Sequence, residues 1–388
     1  MSASEGGFDF CDLAVPGVQG LQPYQPGKPI GELAREYGLG ESRIIKLASN
    51  ENPLGPSPKA IEAICKAALE VHRYPDGNAY ALRNALAEHH EMAHEHIVLG
   101  NGSNDVLDMV ARAFLGPARQ ALLAQYAFAI YAIVVRSAGG EGIVAPANPP
   151  GHRQPFGHDL KAMLARVTQK TRVVFLANPN NPTGNWLPEE ELEIFLEKIS
   201  DDVIVVVDEA YVEYAKGLAG YREVSGWLDR FPNLVITRTF SKAYGLAGMR
   251  VGYALCGAEI AELLNRVRHP FNVNSIAQAA AAAALSDPGH VARAVDLNNG
   301  ERERLSGDLR GLGLRVLPAA GNFLCVEVGS QAAAVNEALL QGGVIVRPLV
   351  SYALPRFLRV SLGTAAENDR FMTSLREIRA RELLEVSA

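Results

Sequence analysis

The stretch VIVVVDEAY at residues 203–211 decides the fold class, because it joins an uninterrupted aliphatic run to a polar turn. Its β-branched residues show no polar alternation, which is typical of a strand that is buried on both faces. The runs at residues 172–177 and 234–239 have the same character. Strands of this kind form parallel sheets that helices cover on both sides. The sequence therefore predicts an α/β fold with a mainly parallel sheet.

Helical patterns separate the predicted strands, and two further strands are predicted at residues 97–99 and 121–123. The clearest helix lies at residues 188–199, where four large apolar residues fall on one face. Another helix is predicted to begin at Pro58, with Ser57 as its N-cap. This alternation of strands and helices is the pattern of a helix-covered sheet.

The character of the chain changes after an Ala-rich helix predicted at residues 276–285. Gly-rich turns then separate short strands at residues 323–328, 344–346 and 357–362, which indicates a smaller α+β domain. Pro and Gly in the first 55 residues favour an extended arm. We expect an N-terminal arm at residues 1–55 that joins the small domain, a large domain at 56–285 and a small C-terminal domain at 286–388.

The composition restricts the functional class. The 388 residues include 37 basic and 43 acidic side chains, so the net charge is −6, and no basic block predicts nucleic-acid binding. The four cysteines are scattered, which excludes a disulfide scaffold and favours a reducing compartment. The acidic N-terminus does not resemble a signal peptide, and the longest apolar run, at residues 121–135, is shorter than a membrane span. We therefore expect a cytoplasmic protein that binds neither nucleic acid nor membranes.

Polar segments directly follow four of the predicted strands. They are GNGS (100–103), NPNNPTG (178–184), DEAY (208–211) and TFSKAY (239–244). Each alone has a structural explanation: a Pro/Gly turn, a helix cap at Asp208 or a surface lysine at Lys242. In open α/β sheets, however, ligands bind outside the carboxyl ends of the strands. The convergence of four such segments therefore predicts a ligand site at this edge.

A series of motifs in this order resembles the fold-type-I aminotransferases that use pyridoxal phosphate. The motifs are LASNENPLGPSP (47–58), RYPDG (73–77), GNGSND (100–105), NPNNPTG (178–184), TFSKAYGLAGMRVGY (239–253), PFNVN (270–274) and VRPLVSYALPRFLRVSLGT (346–364). Within that group the chain is similar to the histidinol-phosphate aminotransferases. The resemblance implies pyridoxal-phosphate transferase fold type I, in which the large domain binds the cofactor. It also implies an enzyme of histidine biosynthesis that moves an amino group between histidinol phosphate/imidazole-acetol phosphate and 2-oxoglutarate/glutamate.

The resemblance assigns roles that agree with what pyridoxal phosphate requires. Lys242 would form the imine with the cofactor and then move a proton as general acid and base. Asp208 would keep the ring nitrogen protonated, so that the ring can accept electrons. Asn181 and Tyr211 would donate hydrogen bonds to the phenolic oxygen.

Further residues are implied around the cofactor phosphate and ring. A helix start would supply N–H groups to the phosphate at Gly102, Ser103 and Asn104, and side chains would come from Thr239, Ser241 and Arg250. Phe128 would either stack on the ring or pack only in the core. Tyr74 is similar to the tyrosine that reaches the cofactor phosphate of the neighbouring subunit, which implies a homodimer.

The expected substrates are a small-molecule amino donor and a 2-oxo acid. The resemblance assigns Arg359 to the glutamate carboxylate, and it assigns Arg347 with Tyr24 to the substrate phosphate. A structural ion pair is the alternative for Arg347. The stretch RPLVSYALP at residues 347–355 resembles aminotransferases that act on phenylalanine and tyrosine. An aromatic amino acid aminotransferase, and a threonine-phosphate decarboxylase of the same fold, are therefore alternatives.

Two other functional classes, a zinc peptidase and a transcription regulator, are alternatives to an aminotransferase. The sequence HEMAH at residues 90–94 matches the HExxH pattern of zinc peptidases, in which two histidines share one helix face. The strand predicted at residues 97–99 follows almost at once, which indicates that the helix ends near this motif, and no third ligand is evident. We therefore expect a solvated, His-rich helix end and no metal. A cofactor-sensing transcription regulator would need a basic DNA-binding domain, whereas only a short acidic arm precedes the large domain.

Overall fold

The computed structural model describes residues 9–385, in which helices and strands alternate. The strands are β1 (Ile45–Lys46), β2 (Ile97–Gly100), β3 (Gln120–Ala124), β4 (Glu141–Ala145), β5 (Thr171–Ala177), β6 (Ile204–Asp208), β7 (Leu234–Thr239), β8 (Gly252–Cys256), β9 (Arg315–Val316), β10 (Phe323–Glu327), β11 (Val344–Ile345), β12 (Arg347–Pro348) and β13 (Phe357–Ser361). The α-helices are α1 (Pro16–Gln19), α2 (Ile30–Tyr37), α3 (Pro58–Ala67), α4 (Tyr80–His90), α5 (Ser103–Phe114), α6 (Ala129–Ser137), α7 (Leu160–Leu164), α8 (Glu189–Lys198), α9 (Val212–Ala215), α10 (Ala258–Val267), α11 (Ser275–Leu285), α12 (Pro288–Gly311), α13 (Ala332–Gln341) and α14 (Ala365–Ala380). Short 3-10 helices lie at Phe10–Leu13, Glu41–Arg43, Ala68–Glu70, His94–His96, Ser225–Trp227, Ala247–Met249 and Val350–Tyr352.

The large sheet has seven strands in the order β2-β8-β7-β6-β5-β3-β4. Strand β8 runs antiparallel to both of its neighbours, and the other strand pairs are parallel. This arrangement confirms the predicted α/β fold with a mainly parallel sheet. Strands β4 and β8 were not predicted, because β4 is a partly exposed edge strand and β8, GYALC, is buried but has no β-branched residues.

Both faces of the central strands are buried, which explains their uninterrupted apolar runs. In β6, Val205 and Val207 belong to the core on one side of the sheet, whereas Ile204 and Val206 belong to the core on the other side. The side chains of a strand alternate between its faces, so a polar residue within β6 would be desolvated in either core. The helix α3 begins as predicted, since the Ser57 hydroxyl accepts a hydrogen bond from the Ala60 N–H at 3.2 Å.

The C-terminal part forms a second, antiparallel sheet in the order β12-β13-β10-β9. Beside it, the N-terminal strand β1 pairs in parallel with β11, so that Ile45 lies opposite Val344. The first part of the chain is therefore tied to the last. The domain limits predicted at residues 55 and 285 stay a prediction.

The segment that matches the zinc-peptidase pattern is not a continuous helix. Helix α4 ends at His90, Glu91 adopts a left-handed backbone with φ of +53°, and His94 begins a separate 3-10 helix. His90 and His94 therefore do not share a helix face, and Nε2 of His90 is hydrogen-bonded to the Tyr253 hydroxyl at 2.9 Å. Across residues 9–385, none of the helices is both long and apolar enough to cross a membrane.

Gly245, which follows the polar turn after β7, presses against the N-terminal arm. Its φ is +69°, and a Cβ atom placed there would lie 2.2 Å from the carbonyl oxygen of Gly55. We expect Gly245→Ala to lower the free energy of unfolding by about 3 kcal/mol, because a left-handed backbone and a backbone clash both oppose the new methyl group. The midpoint of denaturant unfolding measures this change.

Gly248→Ala is the matched control, since nothing lies within 4 Å of a Cβ atom at that position. We expect its unfolding midpoint to stay close to that of the unsubstituted chain. Equal midpoints for the two variants would contradict the close approach at Gly245.

Candidate active site

A cavity of about 240 Å³ opens where β5, β6 and β7 end, between the large sheet and the C-terminal sheet. All of the predicted cofactor and substrate residues except Gly102 and Tyr74 line it. They are Tyr24, Ser103, Asn104, Phe128, Asn181, Asp208, Tyr211, Thr239, Ser241, Lys242, Arg250, Arg347 and Arg359. The structure thus brings together residues from both ends of the chain, while the role of each stays a prediction.

Asp208 is the last residue of β6 and is buried at the floor of the cavity. Its Oδ2 atom accepts a hydrogen bond from the Tyr131 hydroxyl at 2.8 Å. Its Oδ1 atom is buried and has no hydrogen-bond partner among residues 9–385. Burial raises the pKa of Asp208, and the Tyr131 hydroxyl, followed by the Thr237 hydroxyl and the Ala210 N–H, opposes that rise by stabilising the charged form. A buried carboxylate oxygen without a partner fits a ligand that brings its own N–H donor.

Lys242 places an amine within the same cavity. Its Nζ atom donates to the carbonyl oxygen of Ser49 at 3.1 Å and lies 5.7 Å from the centre of the Tyr211 ring. Loss of hydration and the nearby guanidinium of Arg359 lower the pKa of Lys242 to about 8. A substantial fraction of the amine is therefore neutral near physiological pH, which a nucleophilic lysine requires.

The phenol of Tyr211 is oriented by Asn50. Nδ2 of Asn50 donates to the Tyr211 hydroxyl oxygen at 2.9 Å, so the phenolic proton remains available for another acceptor. Asn50 is held in turn by Ser361 on β13, whose hydroxyl accepts from the Asn50 N–H at 2.8 Å and donates to its Oδ1 at 3.0 Å. This contact connects the C-terminal sheet to the polar end of the large sheet.

The turn before α5 brings together groups that are suited to binding an anion, and we call it the Gly102 cradle. Gly102 has a φ of +79°, and a Cβ atom there would lie 2.3 Å from Nη2 of Arg250, so only glycine lets the guanidinium come this close. Helix α5 begins at Ser103, and both Ser103 and Asn104 line the cavity, so the first turn of the helix, whose N–H groups lack partners within the helix, lies beside it. Nη1 of Arg250 donates to Oγ of Ser241 at 3.2 Å. Backbone donors, a cation and a hydroxyl group thus converge as phosphate binding requires.

Arg359 reaches the cavity from β13. Its Nη1 donates to Oδ1 of Asn181 at 2.5 Å and its Nη2 donates to the Ala48 carbonyl at 2.6 Å. Because Asn181 accepts through its oxygen, its amide N–H groups remain available to the cavity. Nε of Arg359 is buried and has no hydrogen-bond partner among residues 9–385. The guanidinium is therefore fixed in place and retains an unused donor.

Arg347 is the second guanidinium in the cavity. It is buried, it lies 5.6 Å from the centre of the Tyr24 ring, and it donates to the Gln25 carbonyl. No ion pair between Arg347 and a carboxylate is seen within residues 9–385, so the structural ion pair considered as an alternative is absent there. Its charge is available for an anion that enters the cavity.

The two aromatic residues implied around the cofactor differ in position. Phe128 lines the cavity half-buried and contacts the Tyr131 ring edge-on, with centroids 5.8 Å apart, so it combines a cavity wall with core packing. Tyr74 does not line the cavity. It is 83% exposed and stacks on Phe271 with centroids 4.8 Å apart.

Sequence reasoning did not assign three residues that shape this site. Ser49 and Asn50 lie within the quoted motif LASNENP, but no role was predicted for either. Tyr131 was missed because it lies within the apolar run AIYAIVV of α6. A hydroxyl group within a helix that packs on the sheet was the available signal, since buried hydroxyl groups take hydrogen-bond partners.

Comparisons with known proteins agree on one family. The model of the family "Aminotransferase class I and II" matches residues 42–375. A protein of Methylococcus capsulatus named histidinol-phosphate aminotransferase 2 is 55% identical over 368 residues, which cover 95% of this chain and 98% of that protein. A protein of Pseudomonas aeruginosa with the same name is 51% identical over 377 residues, covering 96% and 100%. The crystal structure of histidinol-phosphate aminotransferase from Sinorhizobium meliloti in complex with pyridoxal 5′-phosphate is 30% identical, with a TM-score of 0.85 over 97% of this chain and 100% of that one.

The lowered pKa of Lys242 predicts how its reactivity depends on pH. The neutral amine is the reactive form, so in protein freed of any bound cofactor we expect methylation of Lys242 by formaldehyde and a borane reductant to rise with a midpoint near pH 8. Mass spectrometry of the peptide that contains Lys242 measures the rate. Arg359→Gln removes a neighbouring positive charge and should move the midpoint to higher pH.

Arg315→Gln is the control, because Arg315 does not line the cavity. Its midpoint should equal that of the unsubstituted chain. A midpoint above pH 10 in the unsubstituted chain would show that the site does not lower the pKa of this lysine.

Proposed function

This chain belongs to the aminotransferase class I and II family, and from that premise we propose that it moves an amino group between histidinol phosphate/imidazole-acetol phosphate and 2-oxoglutarate/glutamate. The observation that carries the proposal is the placement of one lysine amine and two guanidinium groups, those of Arg359 and Arg347, in a single cavity. Glutamate offers a carboxylate and histidinol phosphate offers a phosphate, and each is an anion that arginine binds in bidentate fashion. The proposed role is a step of histidine biosynthesis.

Pyridoxal 5′-phosphate fits the cavity on three counts. The orphaned Oδ1 atom of Asp208 matches a protonated ring nitrogen, the Gly102 cradle matches the phosphate, and the Lys242 amine matches the aldehyde. When bound, the cofactor supplies an electron sink for bonds at the substrate's α-carbon. Ser103, Asn104, Thr239, Ser241 and Arg250 would hold its phosphate.

The residues around the cofactor ring would each have a separate role in the reaction. Lys242 would hold the cofactor covalently until the amino donor displaces it, and its freed amine would then carry the proton away from the α-carbon. Asp208 would keep the ring nitrogen protonated. Tyr211 and Asn181 would donate to the phenolic oxygen, because Asn50 and Arg359 occupy their other hydrogen-bonding positions. Phe128 would cover one face of the ring.

The two arginines would distinguish the substrates of the two half-reactions. Arg359, fixed by Asn181 and Ala48, would bind the carboxylate of glutamate. Arg347, which has no carboxylate partner within residues 9–385, would bind the substrate phosphate together with the Tyr24 hydroxyl. Tyr24 is 43% exposed and belongs to the N-terminal arm, so it can approach a substrate from the cavity entrance.

A homodimer would complete this site. Several large apolar side chains are exposed between residues 54 and 80, and Phe271, which stacks on Tyr74, is exposed as well. They are Leu54, Ile61, Leu69, Val71, Tyr74, Tyr80 and Phe271. Exposed apolar residues concentrated in this way are typical of a protein interface. Tyr74, stacked on Phe271, would then project into the cavity of the partner subunit and contact the cofactor phosphate.

Substrate choice can be tested by spectroscopy of the protein loaded with pyridoxal phosphate. We expect histidinol phosphate to convert the absorption band of the lysine-bound cofactor to that of its amine form, and phenylalanine and tyrosine to do so far more weakly. Arg347→Ala should lower kcat/KM for histidinol phosphate by about 100-fold and for glutamate by less than about threefold, since a charged hydrogen-bonding partner is lost only to the phosphate. Lys242→Ala should abolish the starting band.

Other outcomes of this test would favour the alternatives. Conversion by phenylalanine and tyrosine alone would identify an aromatic amino acid aminotransferase. Release of CO₂ from threonine phosphate would identify the decarboxylase. Equal losses for both substrates in Arg347→Ala would contradict the phosphate role of Arg347.

Sharing of the site can be tested by mixing two inactive variants, Tyr74→Ala and Lys242→Ala. If Tyr74 acts on the partner's cofactor, each mixed dimer contains one site with both substitutions and one intact site. Random reassembly should therefore restore about a quarter of the activity of the unsubstituted protein. If each Tyr74 instead served the site of its own subunit, every site in the reassembled mixture would carry at least one substitution. The mixture would then stay inactive.

A further inference from the structure

We propose that Tyr131 is a positioning residue, whose hydroxyl group orients Asp208 so that one carboxylate oxygen is directed at the ring nitrogen of the cofactor. The inference rests on the proposed binding of pyridoxal phosphate. No substrate or cofactor contact is required of the Tyr131 hydroxyl itself, because its proton is donated to Oδ2 of Asp208 at 2.8 Å.

The ring of Tyr131 is immobilised on both sides. It is fully buried on α6, it stacks on Phe175 of β5 with centroids 5.0 Å apart and planes inclined by 13°, and it meets Phe128 edge-on. Phe175 belongs to the large sheet and Phe128 to the wall of the cavity. The hydroxyl is therefore held at a fixed point beside the end of β6, with little freedom to seek another acceptor.

The hydrogen bond leaves the two oxygens of Asp208 in different situations. Oδ2 is satisfied by Tyr131, whereas Oδ1 is buried without a partner within residues 9–385. A carboxylate that could rotate freely would lose conformational entropy when one of its oxygens bound a ligand, and this loss would weaken binding. Fixing Oδ2 removes that rotation before the ligand arrives, so the second oxygen is preorganised for one N–H donor.

The same bond affects the charge of Asp208. Burial raises the pKa of this carboxyl and so favours its neutral form, which could not stabilise a protonated ring nitrogen. The hydrogen bond from Tyr131 is the largest influence that favours the ionised form, and the Thr237 hydroxyl, the Ala210 N–H and the charge of Lys242 act in the same direction. Burial and the adjacent carboxylate also keep the pKa of Tyr131 well above its ordinary value, so the phenol stays a donor over the working pH range.

Tyr131→Phe separates this role from packing, because phenylalanine retains the stacked ring and loses only the hydroxyl. The test measures dissociation constants of the protein freed of cofactor for pyridoxal phosphate and for its 1-deaza analogue, in which carbon replaces the ring nitrogen. We expect Tyr131→Phe to weaken pyridoxal phosphate about tenfold, as the loss of one charge-assisted hydrogen bond predicts. The analogue should be weakened by less than about twofold, since it makes no bond to Asp208.

Tyr253→Phe is the matched control. Tyr253 is also buried, and its hydroxyl is hydrogen-bonded to His90 at 2.9 Å outside the cavity. We expect this variant to bind both cofactors as the unsubstituted protein does. A second readout is the pH at which the absorption band of the lysine-bound cofactor changes, which should shift in Tyr131→Phe and stay constant in Tyr253→Phe.

Two results would overturn the proposal. Equal weakening of pyridoxal phosphate and its analogue by Tyr131→Phe would show that the hydroxyl contributes only to packing. Unchanged binding of both, with an unchanged absorption transition, would show that it does not act on Asp208. Failure of the proposed function looks different, because the unsubstituted protein would then not bind pyridoxal phosphate at all.

Discussion

Burial of β5, β6 and β7 on both faces is the constraint on which the rest of the molecule depends. An unpaired polar side chain in the middle of these strands would enter one of two dry cores at a cost of several kcal/mol, so the polar residues lie at or near the strand ends. Because the strands are parallel, those ends coincide at one edge. Asp208 and the turns after β5 and β7 meet there without any special loop.

Three consecutive residues of the N-terminal arm connect this edge to the C-terminal sheet. The carbonyl of Ala48 accepts from Arg359, the carbonyl of Ser49 accepts from Lys242, and the side chain of Asn50 donates to Tyr211. A guanidinium, an amine and a phenol of the cavity are therefore held by one short segment. Displacement of that segment would alter all three groups together, which makes its position part of the chemistry of the site.

The sequence alone predicted those features that depend on the local pattern of apolar residues and on residue types at the ends of helices and strands. Continuous β-branched runs predicted the central strands, and the Ser57-Pro58 pair predicted the start of α3. Strand β8 was not predicted because burial there is achieved without β-branched residues. The positions of Tyr131 and Asn50 depend on contacts between residues distant in sequence, up to 311 residues apart for Asn50 and Ser361. No local pattern specifies such contacts, whereas the residues at strand ends could be read directly from the chain.

The pairing of β1 with β11 also determines when the site can exist during synthesis. Strand β1 cannot pair until β11, roughly 300 residues downstream, has been synthesised. At translation rates of about 5–20 residues per second, synthesis of that length takes roughly 15 to 60 s. The large sheet, whose strands all lie between Ile97 and Cys256, can assemble earlier on the ribosome. Residues 45–48 therefore remain without their partners on β11 and β13 until the C-terminal sheet emerges. The contacts that join the N-terminal segment to Arg359 can therefore form only after the C-terminal sheet has been synthesised.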